Sequence, residues 1–342
     1  METLTGGEVA FIFVTGLLLL AAVVCNIMIV VVVVLNPKMR NPTDVLICNI
    51  AVSDLLLAAV VLPQNLHDIS HSEDNYHEGD FLCRFVYAMP LLLIMNSIFS
   101  MVVISVERKR SIVLNVGKRL TVRGVLFIAV GVWVLAFAFC IPTIYEHSQY
   151  VNDVPQADNE TSYACGSNGV SYAFSLSNGV GLLLVAYVIP LAILMYNYTR
   201  IVLFFRSKGM FGPEAEQRGA VFQALYKSRM VVVKMLILVA LLFAISWAPY
   251  FALLVVEKAS GTSDVEHANG AVSMLRMFLS AFSTAYNFAL YVAYNSSFRI
   301  GLRKLVQRFC PNKIAPLTSE TIPDGPTQMQ QASPNSVLFR DS

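Results

Sequence analysis

The stretch SVERKRSIV, residues 105–113, follows about twenty mostly apolar residues and places four charged side chains next to one another. Glu107, Arg108, Lys109 and Arg110 occupy consecutive positions, and apolar residues resume at Ile112. An exposed run of charges is usually just a solvated face. Whether this run does more depends on the chain around it.

The whole chain has the composition of a membrane protein. Of its 342 residues, 56% are hydrophobic and 13% are charged, whereas an ordinary soluble domain carries about 25% charged residues. A helix crosses the hydrocarbon core of a bilayer with about 20 apolar residues. The continuous apolar character of the candidate spans predicts helices, because the strands of a membrane β-barrel would alternate between apolar and polar residues with period two. The candidate spans lie roughly at 10–35, 44–66, 83–106, 122–145, 173–205, 230–256 and 270–294.

The positions of lysine and arginine predict which ends of the spans face the cytoplasm. Bases cluster in 36–40, 108–123 and 200–234 and after the last span, whereas 67–82 and 146–171 carry acids and no base. Basic loops stay inside. We therefore predict an all-α membrane protein, a seven-transmembrane helix bundle with its N-terminus outside.

This topology divides the chain into four predicted parts. The first ten residues carry Glu2 and Glu8 and no base, so we expect the first span to act as its own insertion signal. The tail is rich in Pro, Ser, Thr and Gln, which is typical of disorder. The parts are a short extracellular N-terminus at 1–9, the bundle at 10–295, an amphipathic juxtamembrane helix on the inner surface at 296–310 and a disordered cytoplasmic tail at 311–342.

The cysteines and one glycosylation motif fit the same topology. Cys83 and Cys165 both lie outside, in an oxidising compartment, so a disulfide between them is the economical pairing. Asn159 begins an N-glycosylation motif in the same outer loop. Cys310 follows the basic amphipathic segment and is a candidate for palmitoylation. The cysteines within spans, expected to serve as small apolar residues, are Cys25, Cys48 and Cys140.

The predicted outer face holds all five histidines and many acids. Polar residues go where water is, and that alone accounts for them. Histidine also titrates near pH 6.5, so proton sensing or metal binding at this face is the alternative. The histidines are His67, His71, His77, His147 and His267.

Asp54 is the clear ionisable residue near the middle of a span. Burying a charge in hydrocarbon is costly, so Asp54 should face the bundle interior and find partners there. Asn26, Ser97, Ser283 and Asn287 lie at compatible depths on other spans. A carboxylate ringed by hydroxyl and amide oxygens fits sodium or a proton. A hydrogen-bonded cluster that only ties helices together is the alternative.

Prolines mark where two of the predicted helices should bend, because each removes a backbone hydrogen bond. Pro190 lies in the fifth span and Pro249 in the sixth. Phe243 and Trp247 are four residues apart and share a helix face beside Pro249. Such an aromatic pair suits a pivot, or it fills core space beside an incidental kink.

Taken together, these residues resemble those of a rhodopsin-like (class A) G-protein-coupled receptor, from the first span to Cys310. The resemblance rests on a set of motifs in the family's order. They are Asn26, NIAVSD ending at Asp54, the Cys83 and Cys165 pair, Glu107-Arg108-Lys109, Trp133, Pro190 with Tyr198, FAISWAPY at 243–250 and NFALY at 287–291.

The resemblance implies a ligand-driven switch and no bond-making chemistry, so the protein is not expected to be an enzyme. An outside ligand would settle above Trp247, the inner end of the sixth helix would swing outward, and a heterotrimeric G protein would dock against Arg108. It also implies a plasma-membrane protein with no nucleic-acid partner and no cofactor beyond an allosteric sodium ion. The coupling residues would be Glu107, Arg108, Val116, Tyr198, Asn287 and Tyr291. The transmitting residues would be Ile98, Pro190, Phe243, Trp247 and Pro249, and the sodium ligands Asp54, Ser97, Ser283 and Asn287.

Four positions depart from the family pattern. Lys109 replaces the usual Tyr, and Phe288 replaces the seventh-span Pro, which puts the usual bend near Tyr291 in doubt. Lys227 and Arg229 stand where some members place an acid that latches the Arg. Without that acid the resting state lacks one restraint, so we predict basal signalling.

The ligand is approached first by exclusion. Opsin-like members carry a Lys at the position of Ala281, and amine receptors carry an Asp at the position of Pro90, so retinal and classical amines are disfavoured. Pro90 and the residues around it look most like peptide (neuropeptide) receptors, with partial likeness to the tachykinin group. An acidic outer surface would steer a basic or amidated peptide.

The expected upper pocket is apolar, and apolar pockets suit lipids as well as peptide side chains. A lipid or other apolar ligand is therefore an alternative, as is proton or metal sensing, while a transporter is less favoured because no repeat of interrupted helices is evident. Arrestin is expected to bind the phosphorylated tail. The pocket residues would be Gln64, Tyr87, Met89, Pro90, Leu91, Ile94, Leu182, Trp247, Tyr250, Phe251, Leu254 and Met277.

Overall fold

A computed structural model describes residues 6–39, 41–63, 79–114, 120–152, 162–207, 220–260 and 270–309, with a helix at each predicted span. The side chains of 8, 38, 61, 220–228, 270–273 and 309 are not described. The helices are α1 Gly6–Leu35, α2 Pro42–Leu56 continued by a π turn Leu57–Val61, α3 Asp80–Ile112, α4 Val122–Glu146, α5 Tyr172–Leu183 continued by a π turn Leu184–Val188 and by Ile189–Ser207, α6 Ala220–Ser260, α7 Gly270–Tyr294 and α8 Ser296–Phe309.

Six of the described helices are long and apolar enough to cross a membrane, namely α1 to α6. α7 has 25 residues, enough to span, but polar side chains interrupt its apolar character. Ser280, Ser283, Thr284 and Asn287 are all buried. The seventh span therefore turns a polar face towards the inside of the bundle.

Side-chain caps fix where three helices begin. Asn41 caps α2, where its Oδ1 accepts from the backbone N–H three residues on at 3.0 Å, and Pro42 follows in the first turn. Thr121 caps α4 and Ser171 caps α5 in the same way, at 3.1 and 3.3 Å. Each cap satisfies a backbone donor that the helix itself leaves free.

The helices pack in chain order, and the ring closes where α7 lies against both α1 and α6. α3 lies against α2, α4 and α5 and so occupies the middle. A polar cluster joins α2, α3 and α4: Asn49 Nδ2 donates to Ser100 Oγ at 2.9 Å and to Asn96 Oδ1 at 3.2 Å, and Trp133 Nε1 donates to Asn49 Oδ1 at 2.9 Å. These bonds fix how the three helices are rotated against one another.

An antiparallel hairpin covers the outer end of α3. Strands β1, His147–Asn152, and β2, Ser162–Ser167, pair with Gln149 opposite Cys165. Cys165 is bonded to Cys83, with their Cα atoms 5.6 Å apart, which is an ordinary disulfide separation. The predicted disulfide is confirmed.

The turn from α7 into α8 is held by side chains on both sides. Asn295 Oδ1 accepts from the backbone N–H of Phe298 at 3.0 Å and caps α8. Arg299 donates to the carbonyls of Val292 and Ala293 at 3.0 and 2.9 Å, so it satisfies the open end of α7. Residues 1–302 form one compact unit and 303–342 a second, of which the structure describes 303–309 as the last turns of α8.

We expect Gly301→Ala to lower the melting temperature of the purified protein. A Cβ at Gly301 would lie 2.7 Å from Val32 Cγ1 and 3.0 Å from Asn36 Nδ2, so α8 would be pushed away from α1. Overpacking of this kind costs about 1–3 kcal/mol. Gly131→Ala on α4 is the control, because a Cβ there meets nothing within 4 Å. Equal melting temperatures for the two variants would contradict the close approach.

Candidate functional site

The predicted sodium-site residues come together around one small cavity in the bundle. Asp54, Ser97, Ser283 and Asn287 line it, with Trp247 on its wall. Its volume of about 10 Å³ is close to that needed for one water molecule. Asn287 Nδ2 donates to Asp54 Oδ2 at 2.7 Å and joins α7 to α2. The cavity thus presents a carboxylate and neutral oxygen groups at short range.

Two of the cavity's oxygens have no hydrogen-bond partner among the described residues, Ser97 Oγ and Asn287 Oδ1. Buried polar atoms are normally satisfied, so these two call for a bound species. Oxygen donors beside a carboxylate suit a small hard cation. Asn26 is not part of this lining: its Nδ2 donates to the carbonyls of Ala22 at 2.9 Å and Thr284 at 2.7 Å, tying α1 to α7.

A ladder of aromatic rings climbs α6 from this cavity towards the outside. The ring centroids of Phe243 and Trp247 are 6.2 Å apart, those of Trp247 and Tyr250 5.7 Å, and those of Tyr250 and Phe251 5.3 Å. The last two pairs meet edge to face, a favourable aromatic geometry. Pro249 lies inside this stretch of α6, so the ladder sits at the weakest point of the helix.

Tyr187 joins this ladder from α5, and sequence reasoning missed it. Its ring lies 5.1 Å from that of Phe251, and its hydroxyl donates to the carbonyl of Ala244 at 2.7 Å. Tyr187 belongs to the π turn that precedes Pro190. That position is the one signal that could have marked it, since π turns are frequent at functional sites.

The other predicted pocket residues lie on the same helices at different depths. Ile94 shares the central cavity with Trp247, whereas Leu182 lines a separate cavity of about 270 Å³ between α4 and α5. Tyr87 is partly exposed at the outer end of α3, and Gln64 lies outside the described residues. Buried on their helices are Pro90, Leu91 and Met277, and partly exposed are Met89 and Leu254.

The predicted transmitting residues are mostly core residues. Ile98 and Phe243 are fully buried, Pro190 is buried on α5, and Pro249 is partly buried on α6. Within the set, the rings of Phe243 and Trp247 are in contact, with centroids 6.2 Å apart. A movement of Trp247 would therefore displace Phe243, which lies one helical turn closer to the cytoplasmic end of α6.

At the inner end of α3, Arg108 is held by two different groups. Its guanidinium donates to Thr43 Oγ1 of α2, and its Nε lies 3.5 Å from Glu107 Oε2. Thr43 is a partner that the sequence did not indicate. Lys109 turns the other way, with its Nζ 4.8 Å from the ring centre of Tyr196 on α5. Val116 lies outside the described residues.

Tyr198 and Tyr291, the remaining predicted switch residues, are both buried near the inner half of the bundle. The ring of Tyr291 lies 6.1 Å from that of Phe298 on α8. Phe288, which replaces the usual proline, meets Phe298 edge to face at 5.7 Å. α7 runs as an unbroken helix past this position, and Phe288 serves to anchor α8.

Sequence reasoning also missed a buried ion pair at the outer ends of α4 and α6. Glu146 and Lys258 are 112 residues apart in the chain, and their side chains meet at 2.6 Å. In the sequence, nothing distinguishes Glu146 from the other acidic residues of the outer loop. Neither spacing nor composition could have paired the two residues.

The described geometry can now be compared with known proteins. The model of the family "7 transmembrane receptor (rhodopsin family)" matches residues 25–291. The chain belongs to the rhodopsin family of seven-transmembrane receptors. The members of this family are receptors, and the protein is a receptor rather than an enzyme, with several membrane spans, in the plasma membrane.

Curated relatives of the receptor carry the names of peptide receptors. It is 28% identical over 316 residues to a QRFP-like peptide receptor of Branchiostoma floridae, covering 89% of this chain and 80% of the relative. It is 29% identical over 294 residues to the substance-K receptor of Canis lupus familiaris, covering 86% and 74%. Against the neuromedin-K receptor of Homo sapiens the identity is 25% over 301 residues, and the chain spans only 61% of that relative's length.

Two predicted modification sites, Asn159 for glycosylation and Cys310 for palmitoylation, lie outside the described residues and stay predictions. The tail at 311–342, predicted to bind arrestin when phosphorylated, also lies outside the described residues, and this too stays a prediction.

Proposed function

We propose that the receptor binds an extracellular peptide and passes the signal to a heterotrimeric G protein through its sixth helix. The observation that carries this proposal is the linked arrangement on α6. A buried aromatic ladder from Phe243 to Phe251 sits at Pro249, and Trp247 reaches the polar cavity around Asp54. A ligand pressing on the outer part of the ladder would therefore act on the helix where it bends most easily.

The proposal of a peptide ligand is supported by chemistry on the outer side and by the relatives. The first relative is by name a peptide receptor. The outer segments 67–82 and 146–171 contain acids and no Lys or Arg, so their electrostatic field favours a basic or amidated peptide. A lipid ligand is the second candidate, since the described pocket residues are largely apolar.

Purified receptor in lipid nanodiscs, tested with a library of amidated basic peptides and a lipid panel, decides between these ligands. We expect at least one peptide to raise nucleotide exchange on a purified G protein about fivefold or more, within the usual range of coupling. Arg108→Ala should abolish the rise without abolishing peptide binding, because Arg108 lies at the inner end. Stimulation by lipids alone would contradict the peptide assignment.

A sodium ion at the central cavity is part of the same proposal. Asp54 would hold it together with the oxygens of Ser97, Ser283 and Asn287, two of which lack a partner among the described residues. The ion would supply a positive charge that neutralises Asp54 in the closed form. The proposed effect is to favour the resting state of the switch.

We expect Thr43→Val to raise basal signalling above that of the wild-type receptor. The hydrogen bond from Arg108 to Thr43 tethers the residue on which the G protein is proposed to dock, and the family's occasional acid on α6 is replaced by Arg229. A hydrogen bond to a charged group contributes about 1.5–3 kcal/mol, enough for a rise of tenfold or so.

Nucleotide exchange without ligand, at equal receptor concentration, measures this effect. Thr199→Val, at an exposed position of α5, is the matched control and should leave exchange unchanged. If Thr43→Val and Thr199→Val behave alike, Thr43 does not restrain Arg108.

Proton sensing through His147 is disfavoured by its surroundings. Burial, and then the positive charge of Lys258, lower the pKa of His147 to about 4, although Glu146 and the hydrogen bond to the Thr143 carbonyl act the other way. Nδ1 lies 2.9 Å from that carbonyl, and the ring stacks on Tyr87 at 4.0 Å. Among the described residues no cluster of His, Cys, Asp and Glu suited to a metal is found.

This lowered pKa of His147 predicts a stability profile. Because the pKa is about 4 in the folded receptor and about 6.5 in the unfolded chain, His147 stabilises the fold above pH 6.5. That contribution, up to about 3 kcal/mol, is lost as the pH falls from about 6.5 towards 4. Melting temperatures of the wild-type receptor should therefore fall more steeply over this window than those of His147→Gln. Parallel profiles would show that His147 titrates at its ordinary pKa.

A further inference from the structure

The outer ends of α4 and α6 are joined by a buried ion pair. Glu146 is the last residue of α4 and has no exposed surface, and Lys258 in the last turns of α6 is 8% exposed. Lys258 Nζ donates to Glu146 Oε1 at 2.6 Å. Lys258 lies about two turns of α6 beyond Phe251, the outermost ring of the aromatic ladder, and the pair is not among the coupling residues of the proposed function.

Glu146 gathers donors from several elements at once. Besides Lys258, its Oε1 accepts from Ser175 Oγ of α5 and, at 3.2 Å, from Ser167 Oγ of β2. Its Oε2 accepts from Asn178 Nδ2 of α5 at 2.7 Å. One carboxylate therefore connects α4, α5, α6 and the hairpin, which the disulfide fastens to α3. The outer end of α6 is tied to a fixed platform.

Gly179 lets α5 close over the stem of Lys258. A Cβ at Gly179 would lie 3.0 Å from Lys258 Cγ and 3.3 Å from Lys258 Cβ. The lysine thus reaches Glu146 through a tight passage, in which a Cβ at position 179 would displace the Lys258 stem by a few tenths of an ångström. Its position is set by sterics as well as by charge.

Stability alone does not explain why charges are kept here. A buried ion pair is desolvated on both sides, and well-packed apolar residues of similar volume usually serve stability as well or better. Separating the charged pair, in contrast, would lose a short directional hydrogen bond and leave two buried charges uncompensated, so the pair opposes a displacement of α6. These are the properties of a device that holds a helix in one position.

The pair lies on the far side of the bend from the inner end of α6. Lys258 is nine residues beyond Pro249, about 13 Å along the helix, whereas Arg229 is twenty residues before it, about 30 Å. If α6 tilts as a rod about Pro249, each 1 Å at the inner end moves Lys258 by about 0.45 Å the opposite way. If the inner end moves by about 2 Å in the direction of the Nζ–Oε1 line, the distance between Lys258 Nζ and Glu146 Oε1 grows from 2.6 Å to about 3.5 Å, the limit of a hydrogen bond.

We propose that Glu146 and Lys258 form an outer latch that holds α6 in the resting position and opens when its inner end moves outward. This inference rests on the proposed function, in which that movement admits the G protein. The latch makes Glu146 and Lys258 positioning residues. They act on the inner end through α6, and none of the bonds described for them reaches the aromatic ladder or the inner end of the receptor.

The double variant Glu146→Gln/Lys258→Met tests the latch. Removing both charges leaves no uncompensated charge in the bundle, so the variant should fold. Spin labels on Leu126→Cys in the inner half of α4 and Lys234→Cys in the inner half of α6, both at exposed positions, report the position of α6 without any G protein. We expect the fraction of molecules with a longer distance between the two labels to be about fivefold larger in the double variant than in the wild type. An unchanged or shortened distance distribution would overturn the latch.

Two further variants keep the test sharp. Gly179→Ala displaces the Lys258 stem and keeps both charges, so it should shift the distances in the same direction and decides the question if the double variant does not fold. No shift in Gly179→Ala would then overturn the latch. Asp80→Asn/Arg84→Gln removes an ion pair from the same side of the receptor and alters its bonds to the Ile144 carbonyl and the Gln149 N–H, and no bond described for either residue reaches α6. It should leave the distances unchanged, and an equal shift in this control would also overturn the latch.

Nucleotide exchange on the same samples separates the latch from the proposed function. A longer distance with more exchange, abolished by Arg108→Ala, supports both. A longer distance with no exchange by any variant leaves the latch standing and contradicts coupling to the G protein.

Discussion

The interior of a bilayer offers no hydrogen-bond partners, so polar groups inside the bundle have to be satisfied by the protein itself, on their own helix or on a neighbouring one. This constraint fixes the rotation of each helix about its axis. Asn287 meets Asp54, Asn26 meets the Thr284 carbonyl, and Asn197 Nδ2 donates to Ser105 Oγ at 2.9 Å. Large apolar side chains are left on the outside, among them Phe127 at 79% exposure, where lipid covers them. A few polar pairs therefore decide which face of each helix is inside.

The same constraint concentrates the candidate function in few places. Among the described residues, six buried side-chain atoms lack a hydrogen-bond partner, and four of them lie at two sites. Ser97 Oγ and Asn287 Oδ1 belong to the central cavity, whereas Glu107 Oε2 and Arg108 Nε lie at the inner end of α3, where they face each other as an ion pair at 3.5 Å without a hydrogen bond. Buried groups that lack a hydrogen bond are the ones that gain most from a new partner. A cation at the cavity and a protein at the inner end are partners of that kind.

How far the sequence predicts this receptor depends on how local the signals are. Apolar runs, basic loops and two outer cysteines are read from neighbouring residues, and they predicted the spans, the topology and the disulfide. The partners of Asp54 were largely predictable because few polar residues share its depth. Asn26 faces the bundle interior as predicted, but its Nδ2 donates to the carbonyls of Ala22 and Thr284, and it is not among the residues that line the cavity.

What escaped prediction are contacts between residues far apart in the chain. The pairing of Glu146 with Lys258, the hydrogen bond from Arg108 to Thr43 and the packing of Phe288 on Phe298 all depend on how helices meet. Phe288 shows the limit most clearly. As a departure from a family motif it raised doubt about a bend, whereas the folded chain uses the ring to hold α8.

The central claim is that this receptor is a two-state switch whose inner end opens for a G protein. The label pair at Leu126 and Lys234 in the otherwise wild-type receptor tests it without knowledge of the ligand. Distances are measured alone and with a heterotrimeric G protein kept nucleotide-free by apyrase. A partner that binds the open form better must shift the population towards it, so we predict a longer distance that reverts on adding GTPγS. A single distance between the labels that changes with neither the G protein nor the nucleotide would contradict the account.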